Sequence, residues 1–119
     1  MTAISPYSQA VDEAEHSFFA AGGIETVAGA HLGITDGFRL AEPEPEAILD
    51  LALSAWDPRS DGLVAACLNF RSHPIIDTLE ARLGKPIITS TQAVLWRLLR
   101  LAGINTPILG FGRLLREYQ

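Results

Sequence analysis

The sequence predicts an α/β domain: a four-stranded parallel sheet with helices on both faces. Two observations carry this. Short apolar runs alternate four times with amphipathic helical segments, which implies right-handed crossovers between parallel strands. One run, Gly62 to Cys67, is apolar throughout, as expected of a central parallel strand covered on both sides.

The elements follow in order. Thr2 to Ser5 is a short strand closed by Pro6-Tyr7. Ser8 is placed to cap a helix with Val11, Ala14, Phe18 and Ala21 on one face, and Gly22-Gly23 stops it. Ile24 to Ile34 holds a weaker second strand, diluted by Gly29 and Gly33, and Thr35-Asp36-Gly37 reads as a turn. A second helix starts between Pro43 and Glu46 and carries Ile48, Leu49, Ala52 and Trp56 inward; the acidic EPEPE stretch is its solvated start. Gly62 to Cys67 is the third strand. Pro74 opens a helix that runs through Leu83 to Gly84. Pro86 to Ser90 is the fourth strand, and Thr91 to Ala102 the last helix, with Val94, Leu95, Leu98, Leu99 and Leu101 apolar. The tail TPILGFGRLLREYQ has no assigned element. No linker, repeat or low-complexity tract divides residues 1–119, which read as one α/β lobe.

Composition excludes several function classes. Hydrophobic residues make up 48% and charged residues 19%, so the chain is globular rather than disordered. The net charge is −5 without a long charged run, which argues against nucleic acid or an anionic membrane as partner. The apolar segments are strand-sized, too short to span a bilayer, and MTAISPYSQ lacks the pattern of a signal peptide. One cysteine permits no internal disulfide, so a reducing, cytoplasmic setting is expected.

In a parallel sheet, ligands bind outside the carboxyl ends of the strands. Four loops reach that edge: Pro6-Tyr7, Gly33 to Gly37, Cys67 to His73 and Thr89 to Gln92. Cys67 stands out there. Free cysteine often only packs, but this one ends its strand, and Asn69-Phe70-Arg71-Ser72 follows it. A helix begins near Pro74, and its N-terminus, like Arg71, is expected to favour the thiolate. Tyr7 can donate to an anion or simply cap the sheet edge. Thr89, Ser90, Thr91 and Gln92 offer donors, although N-capping of the last helix accounts for most of them. His16, His31 and His73 read as isolated, without ligand spacing, so no metal site is expected. The GFG of Gly110 to Gly112 lacks the context of a nucleotide fingerprint.

The joint order of SPYSQAVDEAE, LGITD, DGLVAACLNFRS, LEARLGKPIITSTQAVLWRLLRLAGI and GFGRL resembles the carboxyl-terminal half of maleate cis-trans isomerases and arylmalonate decarboxylases. These belong to the aspartate/glutamate racemase superfamily, and the resemblance runs almost end to end. It implies a flavodoxin-like lobe, one of two that enclose an active site. It further implies cofactor-independent isomerase or decarboxylase chemistry on a small carboxylate, with no metal or organic cofactor. Cys67 matches the catalytic cysteine of that half, and Tyr7 the tyrosine that hydrogen-bonds a substrate carboxylate. Asn69, Ser90 and Thr91 are the further substrate-binding candidates. Leu68 stands where threonine is common, and Gly37 where the isomerases place a substrate-binding asparagine. The amino-terminal lobe, with its partner cysteine, has no counterpart in these residues. Three arrangements are compatible: an inactive fragment, a lobe paired with a separate chain, or a homo-oligomer in which two Cys67 rims face each other. A non-catalytic lobe that associates with another chain or binds anions is the alternative.

Overall fold

The computed structural model describes residues 1–119. Four strands, β1 (Thr2–Ser5), β2 (Ala28–His31), β3 (Leu63–Ala65) and β4 (Ile87–Thr89), form one parallel sheet in the order β2-β1-β3-β4. Five α-helices surround it: α1 (Gln9–Ala21), α2 (Pro45–Ala55), α3 (Ile76–Leu83), α4 (Ser90–Leu101) and α5 (Gly112–Glu117). The predicted architecture is therefore observed, with all four strands pointing their carboxyl ends at one rim.

Register explains the core. Thr2 pairs with Leu63 and Leu63 with Ile87; Ile4 pairs with Ala65 and Ala65 with Thr89. These residues share one sheet face. Ile4, Leu63, Ala65 and Ile87 meet Ile48 and Ala52 of α2 and Ile76 and Leu79 of α3 in a single buried cluster. Removing each large aliphatic side chain from water contributes about 1.5–3 kcal/mol. On the opposite face, Ser5 receives α1 through Asp12.

Several elements differ from the sequence reading. The strands β2 and β3 are shorter than Ile24–Ile34 and Gly62–Cys67, and a 3₁₀ turn at His73–Ile75 precedes α3. Ser8 occupies the N-cap of α1, yet its hydroxyl makes no capping bond. Val11 and Phe18, grouped on one face of α1, face solvent at 49% and 76% exposure, because the inward side of α1 is polar. Four apolar residues of α4, Val94, Leu95, Leu98 and Leu101, are likewise exposed. Thr89 does cap α4: its hydroxyl accepts from Gln92 N at 3.1 Å, and Gln92 Oε1 accepts from Thr89 N at 3.2 Å.

The tail is ordered by side chains of α3 and α4. Asp77 accepts from Gly112 N (2.8 Å), Glu80 from Arg113 N, and Gln92 Nε2 donates to Phe111 O (2.7 Å). Glu80 also accepts from Ile87 N at 3.3 Å. The amides of Ile87 and Thr89 on edge strand β4 are thus both occupied by side chains. The GFG segment serves this docking rather than a nucleotide. Gly112 has φ +84°, and a Cβ there would collide with Ile76 Cγ2 and lie 2.8 Å from Gln92 Nε2. Gly112→Ala is expected to cost about 3 kcal/mol from overpacking and the left-handed backbone, roughly 10 °C in melting temperature. Gly110→Ala, with φ +89° but open space, should cost about 1 kcal/mol; equal losses in thermal melts would contradict the packing account.

Candidate active site

The β1–β3 ladder extends one hydrogen bond past the strand, Ala66 N to Ile4 O at 2.9 Å, and then the chain turns. Cys67 makes that turn with φ +87°, the only non-glycine residue of the chain in the left-handed region. The conformation costs of order 1–2 kcal/mol for a residue with a Cβ. Three bonds hold it. Cys67 N donates to Ser90 Oγ (3.1 Å), Phe70 N donates to Cys67 O (3.1 Å), and Thr91 Oγ1 donates to Leu68 O (3.1 Å). Cys67 is 7% exposed.

The structure brings Cys67, Tyr7, Ser90 and Thr91 together. Tyr7 lies in the loop after β1 and packs against the core. Its phenol is pushed up to about 12, first by burial, then by the neighbouring Cys67 side chain, with Glu15 adding to the effect. The phenol is therefore a proton donor throughout the neutral range. Ser90 accepts from the backbone of Cys67, which leaves its own proton free for another acceptor; Thr91 has spent its proton on Leu68 but keeps its lone pairs.

Two of the expected contributors lie elsewhere. The helix start beside Cys67 is that of α4, because the first turn after the cysteine loop is the 3₁₀ segment. Arg71 points away from the thiol: its Nη2 donates to Glu42 O (3.0 Å) and Pro43 O (3.1 Å) and pairs with Glu44 (3.1 Å). It staples the cysteine loop to the start of α2, so the EPEPE stretch is partly engaged rather than only solvated. Asn69 is exposed on the same loop. Apolar side chains also reach the rim, with Leu68 60% and Phe38 100% exposed. A cleft of about 290 Å³ opens nearby between His73, Leu95 and Phe111, but Cys67 does not line it.

Two of the three histidines, His16 and His31, are not isolated, contrary to the sequence reading. His16 Nε2 and His31 Nδ1 both approach Asp12 Oδ2, at 3.3 and 3.5 Å. Their separations of four and nineteen residues from Asp12 converge because α1 crosses between β1 and β2. The i,i+4 pair was visible in the sequence; the β2 contact needed the register. Beside them Glu15 is raised to about 7, mainly by burial and then by the charge of Asp12.

Two predictions follow from this geometry. Cys67→Gly should melt above Cys67→Ala by about 1 kcal/mol, since only glycine relieves a left-handed backbone; a residue that merely packs would give the reverse order. A carboxyl raised in the native state stabilises below its unfolded value and loses that contribution as the pH rises through the native one. For Glu15 the loss falls between about pH 4.5 and about 7. Glu15→Gln should then raise the melting temperature at pH 8 by a few degrees, about 1 kcal/mol after discounting for half-exposure, and change little at pH 4.5.

Comparison with known proteins bears on this rim as a whole. Residues 1–115 match the family model described as arylmalonate decarboxylase. Arylmalonate decarboxylase of Bordetella bronchiseptica is 32% identical over 114 residues, 93% of this chain and 48% of the relative. Maleate isomerase of Geobacillus stearothermophilus is 23% identical over 113 residues, 94% of this chain and 45% of the relative. Among solved structures, a maleate isomerase variant from Pseudomonas putida S16 with maleate superposes with TM-score 0.92 at 25% identity, covering 98% of this chain and 47% of the other. A liganded arylmalonate decarboxylase variant gives 0.90 at 30%, covering 98% and 50%. The chain spans about half the length of the relatives it matches. It belongs to the arylmalonate decarboxylase family, with the maleate isomerases among its relatives.

Proposed function

We propose that this chain is the equivalent of the second lobe of a two-lobe, cofactor-independent enzyme that decarboxylates or isomerises a small dicarboxylate, with Cys67 as its proton-transferring thiol. The observation that carries the reading is the left-handed Cys67, held at the end of β3 beside a protonated Tyr7. A backbone strained at one cysteine is what a functional position accepts and a packing position avoids.

In the decarboxylase form, the bond between the α-carbon and one carboxylate breaks and its electron pair stays on the α-carbon as an enolate, releasing carbon dioxide. Cys67 S–H protonates that carbon and becomes thiolate, which solvent reprotonates. Tyr7 O–H and Ser90 O–H donate to the remaining carboxylate, helped by the first amides of α4; Asn69 and Thr91 complete the polar rim. One thiol suffices for this chemistry. Gly37 replaces the asparagine usual in the isomerases, Leu68 a threonine common in the family, and exposed Leu68 and Phe38 add apolar surface at the rim. Both features favour an arylmalonate-like over a maleate-like substrate.

The second reading is a lobe that turns over only with a complementary lobe, or associates without catalysis. The open rim and the half-length match to its relatives favour it.

Carbon dioxide release from phenylmalonate, followed across protein concentration, separates the readings. Catalysis by Cys67 predicts turnover that falls at least about 100-fold in Cys67→Ser with the melting temperature nearly unchanged. A rate growing with the square of protein concentration would indicate a paired site. Turnover that survives Cys67→Ser would sink the proposal, and a strictly monomeric, inactive chain would leave the associating-lobe reading in its place.

A further inference from the structure

Asp12 is 4% exposed, and a buried carboxylate is retained only where partners offset its desolvation. Its hydrogen-bond partner is Ser5, whose Oγ donates to Oδ1 at 2.7 Å; His16 Nε2 and His31 Nδ1 lie 3.3 and 3.5 Å from Oδ2 without completing a hydrogen bond. Ser5 ends β1, His31 ends β2, and Asp12 and His16 come from α1, so a single carboxylate ties both strand ends to the helix.

The arrangement continues toward the rim. A serine hydroxyl has one proton to give. With that proton committed to Asp12, the lone pairs of Ser5 Oγ remain, and Tyr7 N–H donates to them at 3.4 Å. From the other side, the loop after β2 holds the same segment: Gly33 N donates to Tyr7 O and Ile34 N to Pro6 O, each at 2.9 Å. The backbone on both sides of the phenol is thus fixed through Ser5 and through the chain leaving His31. Both routes start at Asp12, which itself touches neither the phenol nor the thiol.

We propose that Asp12 is a positioning residue: acting through Ser5 and His31, it fixes the Pro6-Tyr7 loop and so holds the Tyr7 phenol against Cys67. The inference rests on the reading of Tyr7 and Cys67 as the reactive pair, but its test requires no turnover.

The chain has two tyrosines, so phenolate absorbance in an alkaline titration should show two steps, the upper assigned by its loss in Tyr7→Phe. Loosening the loop exposes the phenol, and exposure lowers a value that burial had raised. Ser5→Ala and Asp12→Ala should therefore move the upper step down by about one pH unit. Alkylation of Cys67 by iodoacetamide should change in both by about threefold or more. Ser60→Ala is the control. It deletes another buried hydroxyl, paired with Thr2 at 2.7 Å, and should leave the upper step in place despite lost stability. Deleting one oxygen at Ser5 is the milder change and decides the matter where Asp12→Ala does not fold. An upper step unmoved in Ser5→Ala, or moved equally by Ser60→Ala, overturns the proposal. A wrong assignment of catalysis would show instead as turnover insensitive to Cys67→Ser, with the titration result intact.

Discussion

The rim depends on one hydrogen bond, from Cys67 N to Ser90 Oγ. The β3–β4 ladder ends where Ala65 pairs with Thr89, because residue 90 already belongs to a helix and offers no strand carbonyl to the next donor of β3. A side-chain oxygen takes the place of the missing carbonyl. The substitution frees β3 from its neighbour two residues later than the β3–β4 ladder alone would, and it brings the first turn of α4 against the loop that follows the cysteine. Thr91 adds a second bond to the same loop, and Arg71 a third attachment, to the start of α2. The left-handed turn at Cys67 persists because these contacts over-determine it.

The sheet and its order of elements were legible in the sequence because period and punctuation report local structure directly. So was the gathering of Tyr7, Cys67, Ser90 and Thr91 on one edge, which follows from parallel strands alone. What the sequence hid was pairwise direction. Arg71 is four residues from Cys67, yet its side chain turns toward the carbonyls of Glu42 and Pro43, a destination set by the packing of α2. The meeting of His31 with Asp12 depends on how α1 crosses β1 and β2. The short α5 was invisible because its N-terminus is anchored by carboxylates of α3 rather than by a local cap.

The apolar stripes of α1 and α4 were legible as stripes, but much of each is exposed. Periodicity identifies a face, but not whether the same chain covers it. On α1 the sheet is met by Asp12 and His16, so Val11 and Phe18 point outward. On α4 the inward contacts go to Gln92 and Trp96, whose polar atoms bond Phe111 and Tyr118, while Leu98 and Leu101 remain in solvent at 58% and 68% exposure. The buried apolar cluster lies on the α2–α3 side of the sheet.

The left-handed backbone at Cys67 has a consequence over generations. A single nucleotide change converts a cysteine codon into a glycine codon, and here the replacement is the residue that the conformation itself favours. Glycine would relax the turn while giving up the place of the sulfur in the buried core cluster, so the backbone itself does little to keep a cysteine here. The large aliphatic residues of that cluster are guarded by the damage that their loss inflicts on folding. A cysteine that persists at this turn in a lineage would report on selection for what the thiol does.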